Sequence, residues 1–345
     1  MAEHGGRLSV LDIAPIWKGA PHAQALRESV ELAPKIESLG YRRYWVAEHH
    51  NTLNIASSAP AVLIGALADV TSTMRIGSGG VLLPNHAPLA VAEQFGTLEA
   101  LHPGRIDLGL GRAPGTDPHT AQALRRSAGA ADDFPAILAE LSDYFDPATA
   151  GDPTPPVIAV PAPGNAPDIW MLGSSPSSAA FAARLGLPYA FAHHIAPGAA
   201  EAAIRLYRRD FRPSRALEHP YALVAASVVV ADTEEEARRL RTPLDVATLQ
   251  LRRPGRTEPF LPPDEADLVE LDAVDRDVIA PAADRHIVGT PDQIGEHVGR
   301  LLADTAADEL MALTIVHDPA ARLRSYELLA EAVPPPAGGV PQDRL

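Results

Sequence analysis

"MRIGSGGVLLPNHAPLAVAEQFGTLEALHPGRIDLGLGR", residues 74–112, reads as strand, helix, strand. The runs 74–84 and 105–111 are short and apolar, and residues 88–101 between them carry a helical pattern. Two apolar strands joined by such a helix form a parallel crossover unit, with strands buried on both faces. The same alternation continues outward. Upstream, "LSVLDIA" (8–14) reads as a strand and 23–39 as an amphipathic helix ending at Gly40. "YRRYWVAEH" (41–49) is a second strand and "APAVLIGALADVT" (59–71) a helix. Downstream, "DIWMLGSS" (168–175), "YAFAHH" (189–194), "YALVAASVVVAD" (221–232) and "ELMALTI" (309–315) are further strands, each with a helix behind it. Eight such units predict an α/β protein with a (β/α)8 TIM barrel rather than an open, doubly wound sheet.

The chain of 345 residues is long enough for two average domains or one large barrel, and the pattern selects a single domain over 1–333. Three segments break the rhythm. The Pro-rich stretch 145–167 reads as a surface insertion, 252–267 as a lid-like loop, and 334–345 as a disordered tail. Twenty-nine Lys and Arg against 44 Asp and Glu give a net charge of −15, which disfavours nucleic acid and anionic membranes as partners. The absence of Cys removes disulfides, thiolate metal sites and a Cys nucleophile, and suits a reducing cytoplasm. No basic-then-apolar leader and no run near the ~20 apolar residues of a membrane span is present. A cytoplasmic enzyme acting on a small molecule is the expectation.

In such barrels chemistry gathers at the C-terminal strand ends, and five of them here are polar or glycine-rich. "YWVAEHHN" (44–51) ends in Glu48-His49-His50, and "YAFAHH" in His193-His194. Adjacent residues of a strand point to opposite faces, so neither histidine pair makes the His-x-His of a barrel metal site, and no metal is expected. A general base in a pocket is the preferred reading. Ser174 and Ser175 precede Pro176 at a helix start, where unpaired backbone N–H groups and hydroxyls suit a phosphate, and Arg112 of "GLGR" supplies a cation to the same face. Gly109 and Gly111 would let a ligand approach the backbone. Gly77, Gly79 and Gly80 mark either contact with a planar ligand or tight internal packing. Glu93, on the next helix, is expected to face the same mouth.

"YWVAEHHN" together with residues 74–112 resembles the bacterial luciferase-like flavin monooxygenases, as do "WMLGSSPSSAAFAARLGLPYAFAHH" and "IVGTPDQIGEHV" further on. The resemblance covers about Leu8 to Val333. It implies a (β/α)8 barrel binding reduced FMN, and a homodimer through the second and third helices. By position, His49 matches the family's catalytic histidine and His50 its neighbour. Gly79–Gly80 match a non-prolyl cis peptide beneath the flavin ring, and Glu93 a residue near that ring. Arg112, Ser174 and Ser177 match phosphate contacts, joined by Ser175 of the same loop, and either Arg125 or Arg126 matches a second phosphate arginine. Residues 252–267 stand where luciferases carry a lid. Gly111 replaces the reactive cysteine of luminescent members, which points to the non-luminescent branch. The implied reaction is oxygenation of a small organic substrate by FMNH2 and O2 through a C4a-peroxyflavin, with His49 as base and Glu48 as a candidate to orient it. With no NAD(P)H fingerprint visible, a separate NAD(P)H:flavin reductase is the expected partner. An F420-dependent oxidoreductase on the same barrel and a non-catalytic flavin-binding protein are the alternatives.

Overall fold

The computed structural model describes residues 8–112, 117–126, 133–150, 156–252, 257–283 and 285–334. Nine parallel strands form its sheet: β1 (Leu8–Asp12), β2 (Arg43–Val46), β3 (Arg75–Leu82), β4 (Ile106–Gly111), β5 (Asp168–Gly173), β6 (Tyr189–Ala192), β7 (Ala222–Val230), β8 (His286–Gly289) and β9 (Glu309–Leu313). β1 through β7 pair in sequence order; β7 then pairs β9, and β9 returns to β1, closing an eight-stranded barrel. The barrel strands are the eight the apolar runs predict. β8 is an addition: it pairs only with the far half of β7, at Ser227–Val230, outside the ring. It has only four residues, alternately half-buried and buried, too short a run to stand out as a strand in the sequence.

The helices are α1 (His22–Ser38), α2 (Pro60–Asp69), α3 (Pro88–Leu101), α4 (Pro118–Ala123), α5 (Phe134–Phe145), α6 (Pro176–Leu185), α7 (Ala200–Asp210), α8 (Glu234–Arg252), α9 (Pro263–Ala266), α10 (Ala273–Ala283), α11 (Pro291–Thr305) and α12 (Pro319–Ala332). Strand alternation divides the core in two. Val10, Tyr44, Val46, Ile76, Leu108 and Val224 point outward into one cluster with the helices, whereas Leu11, Trp45, Trp170, Leu223 and Met311 point inward. That parity decides the site. Counting inward from Arg43 and Trp45 along β2 and its extension gives Ala47 and His49; from Ala190 along β6 it gives Ala192 and His194.

The interior is layered from one end to the other. At the N-terminal ends of the strands lies a buried ionic network: Arg43 holds Glu309 and Asp107 at 2.9 Å each, and Asp107 also accepts from Arg75 and from the Trp45 indole. Trp45 and Trp170, edge to face at 5.1 Å, fill the middle. Above them the packing opens into the cavity described below.

The Pro-rich insertion is less superficial than its composition predicts. In its described part Ala159 and Ala162 are fully buried, and Ala162 lies against α3 at Gly96, where an added Cβ would stand 2.5 Å from the Ala162 Cα. Gly96→Ala is therefore expected to cost about 1–3 kcal/mol by overpacking. Gly65→Ala on α2, whose Cβ would meet Leu98 at an ordinary 3.6 Å, serves as the control in the same thermal melts and should be no less stable than the wild type. The lid-like loop is described from Thr257. Phe260 exchanges backbone hydrogen bonds with Ile16 and Lys18, and the Thr257 hydroxyl meets Thr52, so the segment is tied to the loops after β1 and β2. Residues 253–256 of that loop and 335–345 of the tail lie outside the described residues.

Candidate active site

A cavity of about 500 Å³ occupies the C-terminal mouth of the barrel. Trp45, Gly79 and Gly80 border it on the β2–β3 side, and Arg112, Ser174, Ser175 and Ser178 on the β4–β5 side; His49 and His194 face into it. The peptide between Gly79 and Gly80 is cis. A Cβ on Gly79 would lie 2.6 Å from Leu11, and one on Gly80 2.6 Å from the Gly109 carbonyl, so only bare backbone fits at this border. Gly109 itself is a packing glycine. Its Cβ would fall 2.0 Å from the Ser78 carbonyl, whereas Gly111 borders the cavity with room to spare.

The Glu-His-His cluster splits by parity. Glu48 and His50, two residues apart, meet on one side, with His50 Nε2 at 2.8 Å from Glu48 Oε1. His86 Nε2 reaches the same oxygen at 2.8 Å, and the Leu82 amide donates to the other at 3.0 Å. Burial works against the ionised form of Glu48, yet these hydrogen bonds outweigh it and bring the carboxyl down to about 2. Glu48 is thus an anchor for His50 and His86; it makes no hydrogen bond to the His49 ring, and the orienting role considered for it falls away. His50 does not line the cavity. His49, turned the other way, does: its buried Nδ1 finds no hydrogen-bond partner among the described residues. Burial, then the repulsion of His194 and His50, lowers the His49 pKa despite the opposing pull of Glu48. His49 is therefore a neutral imidazole at neutral pH, with one nitrogen uncommitted.

At the other end, Ser175 caps α6 and forms a capping box with Ser178, each side chain 3.4 Å from the other's backbone N–H. Ser178 Oγ also meets Tyr189 OH at 2.9 Å. The start of a ten-residue helix, two seryl groups and the exposed Arg112 together suit a phosphate. Ser177 points elsewhere, bonding Ser175 Oγ at 2.9 Å and lining an adjoining cavity of about 550 Å³ with Phe134, Phe181 and Arg184. Neither Arg125 nor Arg126 borders the main cavity; Arg125 is exposed and takes a left-handed φ of 56°, and the buried Nη1 of Arg126 finds no partner among the described residues. Glu93 stands on the exposed face of α3, away from the mouth, because its position in the helix faces solvent.

Three residues of the site were absent from the sequence-based set. Ser178 had a signal, the Ser-x-x-Ser capping spacing. His194 had one too, strand parity, which turns it inward and leaves His193 bordered by His297 instead, its pKa brought down to about 4 by burial and by both neighbouring histidines. His86 had none, since only the folded chain brings it to Glu48. Among the described residues no group of three or more His, Cys, Asp or Glu is placed to hold a metal ion, and no helix is long and apolar enough to cross a membrane.

The lining residues would fit a phosphorylated flavin: a bare-backbone border at Gly79–Gly80, an imidazole whose Nδ1 has no partner among the described residues, and a helix start with a cation beside it. A luciferase-like monooxygenase of Escherichia coli K12 is 47% identical over 321 residues, 93% of this chain and 95% of that one. The N-acetyl-S-alkylcysteine monooxygenase of Bacillus subtilis is 34% identical over 340 residues, covering 95% and 98%. The crystal structure of apo-MsnO8, at 39% identity, superposes with a TM-score of 0.85 over 97% of this chain and 100% of that one. The luciferase-like monooxygenase family matches residues 7–309, and the chain belongs to that family of oxidoreductases.

Proposed function

We propose that the protein is the oxygenase half of a two-component flavin system in the cytoplasm, taking reduced FMN from a separate NAD(P)H:flavin reductase and oxygenating a small organic molecule with O2. The observation that carries this is one continuous cavity joining the uncommitted His49 imidazole to the Arg112–Ser174–Ser175–Ser178 end. Reduced FMN supplies the electrons that activate O2. The chain's own residues do the rest. Arg112, the seryl groups and the N-terminus of α6 hold the phosphate; Gly79 and Gly80 seat the ring. His49 takes or gives a proton at Nδ1, and the apolar walls keep bulk water out. The 34% identity to a monooxygenase over nearly the whole chain favours oxygen chemistry over the hydride transfer of an F420 enzyme.

A homodimer through α2 and α3 belongs to the same proposal. α2 is apolar on all sides, with Val62 exposed, and Leu101 at the end of α3 is exposed as well.

Anaerobic titration with FMNH2 tests the cofactor. Arg112→Ala is expected to raise Kd about 10- to 100-fold, the worth of a charge-assisted hydrogen bond. Mixing the loaded protein with oxygenated buffer should give a transient near-ultraviolet absorbance distinct from free flavin. Tighter binding of F420 than of FMN would overturn the reading, and FMN bound without any oxygen-dependent product would identify a flavin carrier.

A further inference from the structure

The proposed function uses one of the two imidazoles in the cavity and leaves His194 without a task. The cavity is uneven. Towards β4 and β5 it carries Arg112 and the seryl groups; towards β7, β9 and β1 it is walled by Leu223, Met311, Leu313, Leu11 and Ile13. Among the lining residues of β6, β7, β9 and β1, His194 has the sole polar side chain. Its Nδ1 lies 2.9 Å from the Ala225 carbonyl oxygen, which can only accept, so Nδ1 carries the proton. Burial pulls the His194 pKa below its ordinary value, partly opposed by that same hydrogen bond, so the ring is neutral at neutral pH. Nε2 then bears a lone pair and no proton, and no hydrogen bond engages it among the described residues.

A lone acceptor in an apolar wall selects the ligand that covers it. A ligand with a matching donor satisfies it, and one without leaves it stranded. A charge placed there would find no counter-charge on that side and would be desolvated unpaired. We propose that His194 is a specificity-determining residue, its Nε2 accepting a hydrogen bond from an N–H or O–H of the organic substrate. The substrate is thus an uncharged, mainly apolar molecule carrying a donor of the secondary-amide or alcohol class. The inference rests on the cavity being the active site, as proposed above.

A matched pair of probes tests it: N-butylacetamide, which has an N–H, and N-butyl-N-methylacetamide, which does not. Binding is followed by tryptophan fluorescence, since Trp45 borders the cavity, with the full-length protein both FMN-free and FMN-saturated. The wild type should prefer the secondary amide by about 3- to 10-fold, one net hydrogen bond. His194→Phe should abolish that preference and His194→Gln, which keeps an acceptor, should restore part of it, while FMN affinity stays unchanged in both. Nitrogen-15 shifts of the wild-type ring should show a protonated Nδ1 and a bare Nε2, a readout that stands even if His194→Phe does not fold. A preference surviving in His194→Phe, no binding of either amide by the wild type, or a variant that loses FMN affinity instead would each overturn the assignment. Failure of FMN to bind, with a His194-dependent amide preference intact, would sink the flavin reading and leave this one standing.

Discussion

His49→Ala should lower substrate-dependent oxygen uptake by about 10²- to 10⁴-fold, the usual worth of a positioned acid–base group. Reduced FMN should still bind, because the phosphate end and the Gly79–Gly80 border are untouched. His49 lines the cavity, and its buried Nδ1 has no hydrogen-bond partner among the described residues. Its pH behaviour adds a signed test. Burial and the neighbouring histidines lower its pKa, so the acid limb of kcat/KM should lie below the ordinary imidazole range of about 6.5. Glu48 acts the other way, favouring the protonated ring. Glu48→Gln removes that pull, and the limb should move to still lower pH. Retention of more than a tenth of the activity in His49→Ala, or an acid limb at the same pH in the wild type and Glu48→Gln, would take His49 out of the chemistry.

The barrel was legible because its strands are buried on both faces and therefore appear as uninterrupted apolar runs, from "YWVA" to "ALVAASVVV". β8 was not, being a half-buried strand that pairs with one neighbour only. The mouth was legible as a set of strand ends and less so as a set of roles. Parity along β2 turns His49 into the cavity, while Glu48 borders it with its carboxylate engaged by His50 and His86; the same rule applied to β6 picks His194 from its pair. Sequence position says nothing of which glycine faces a ligand: Gly109 and Gly80 sit on adjacent strands, and the first is held against Ser78 while the second borders the cavity. Helix positions fared worst. Glu93 and the Arg125–Arg126 pair depend on helix rotation and loop course, which a strand-based register does not constrain, and none of the three borders the cavity. His86 illustrates the general limit, since its contact with Glu48 joins residues 38 apart in the chain.

Arg43→Met should destabilise the barrel by about 3–5 kcal/mol, the cost of removing one member of a buried ion pair. The guanidinium is fully buried, spans Glu309 and Asp107 at 2.9 Å each, and stacks over the Trp170 ring at 4.6 Å. Burial alone would favour its loss of charge; the two carboxylates more than reverse that and raise its pKa. The damage from Arg43→Met is unequal. Asp107 keeps Arg75 at 2.6 Å and the Trp45 indole at 2.8 Å, whereas Glu309 keeps the hydroxyls of Ser9 and Tyr221 and loses the guanidinium that it pairs with. Glu309 is therefore the stranded charge, and Arg43→Met combined with Glu309→Gln should recover a large part of the loss, a coupling that a double-mutant cycle in urea measures directly. Additive losses in that cycle would mean that the pair is not the source of the stability. The network lies at the N-terminal ends of the strands, with the Trp45–Trp170 layer between it and the cavity. FMN affinity of the folded double variant should accordingly match the wild type, separating the end of the barrel that holds it together from the end that does chemistry.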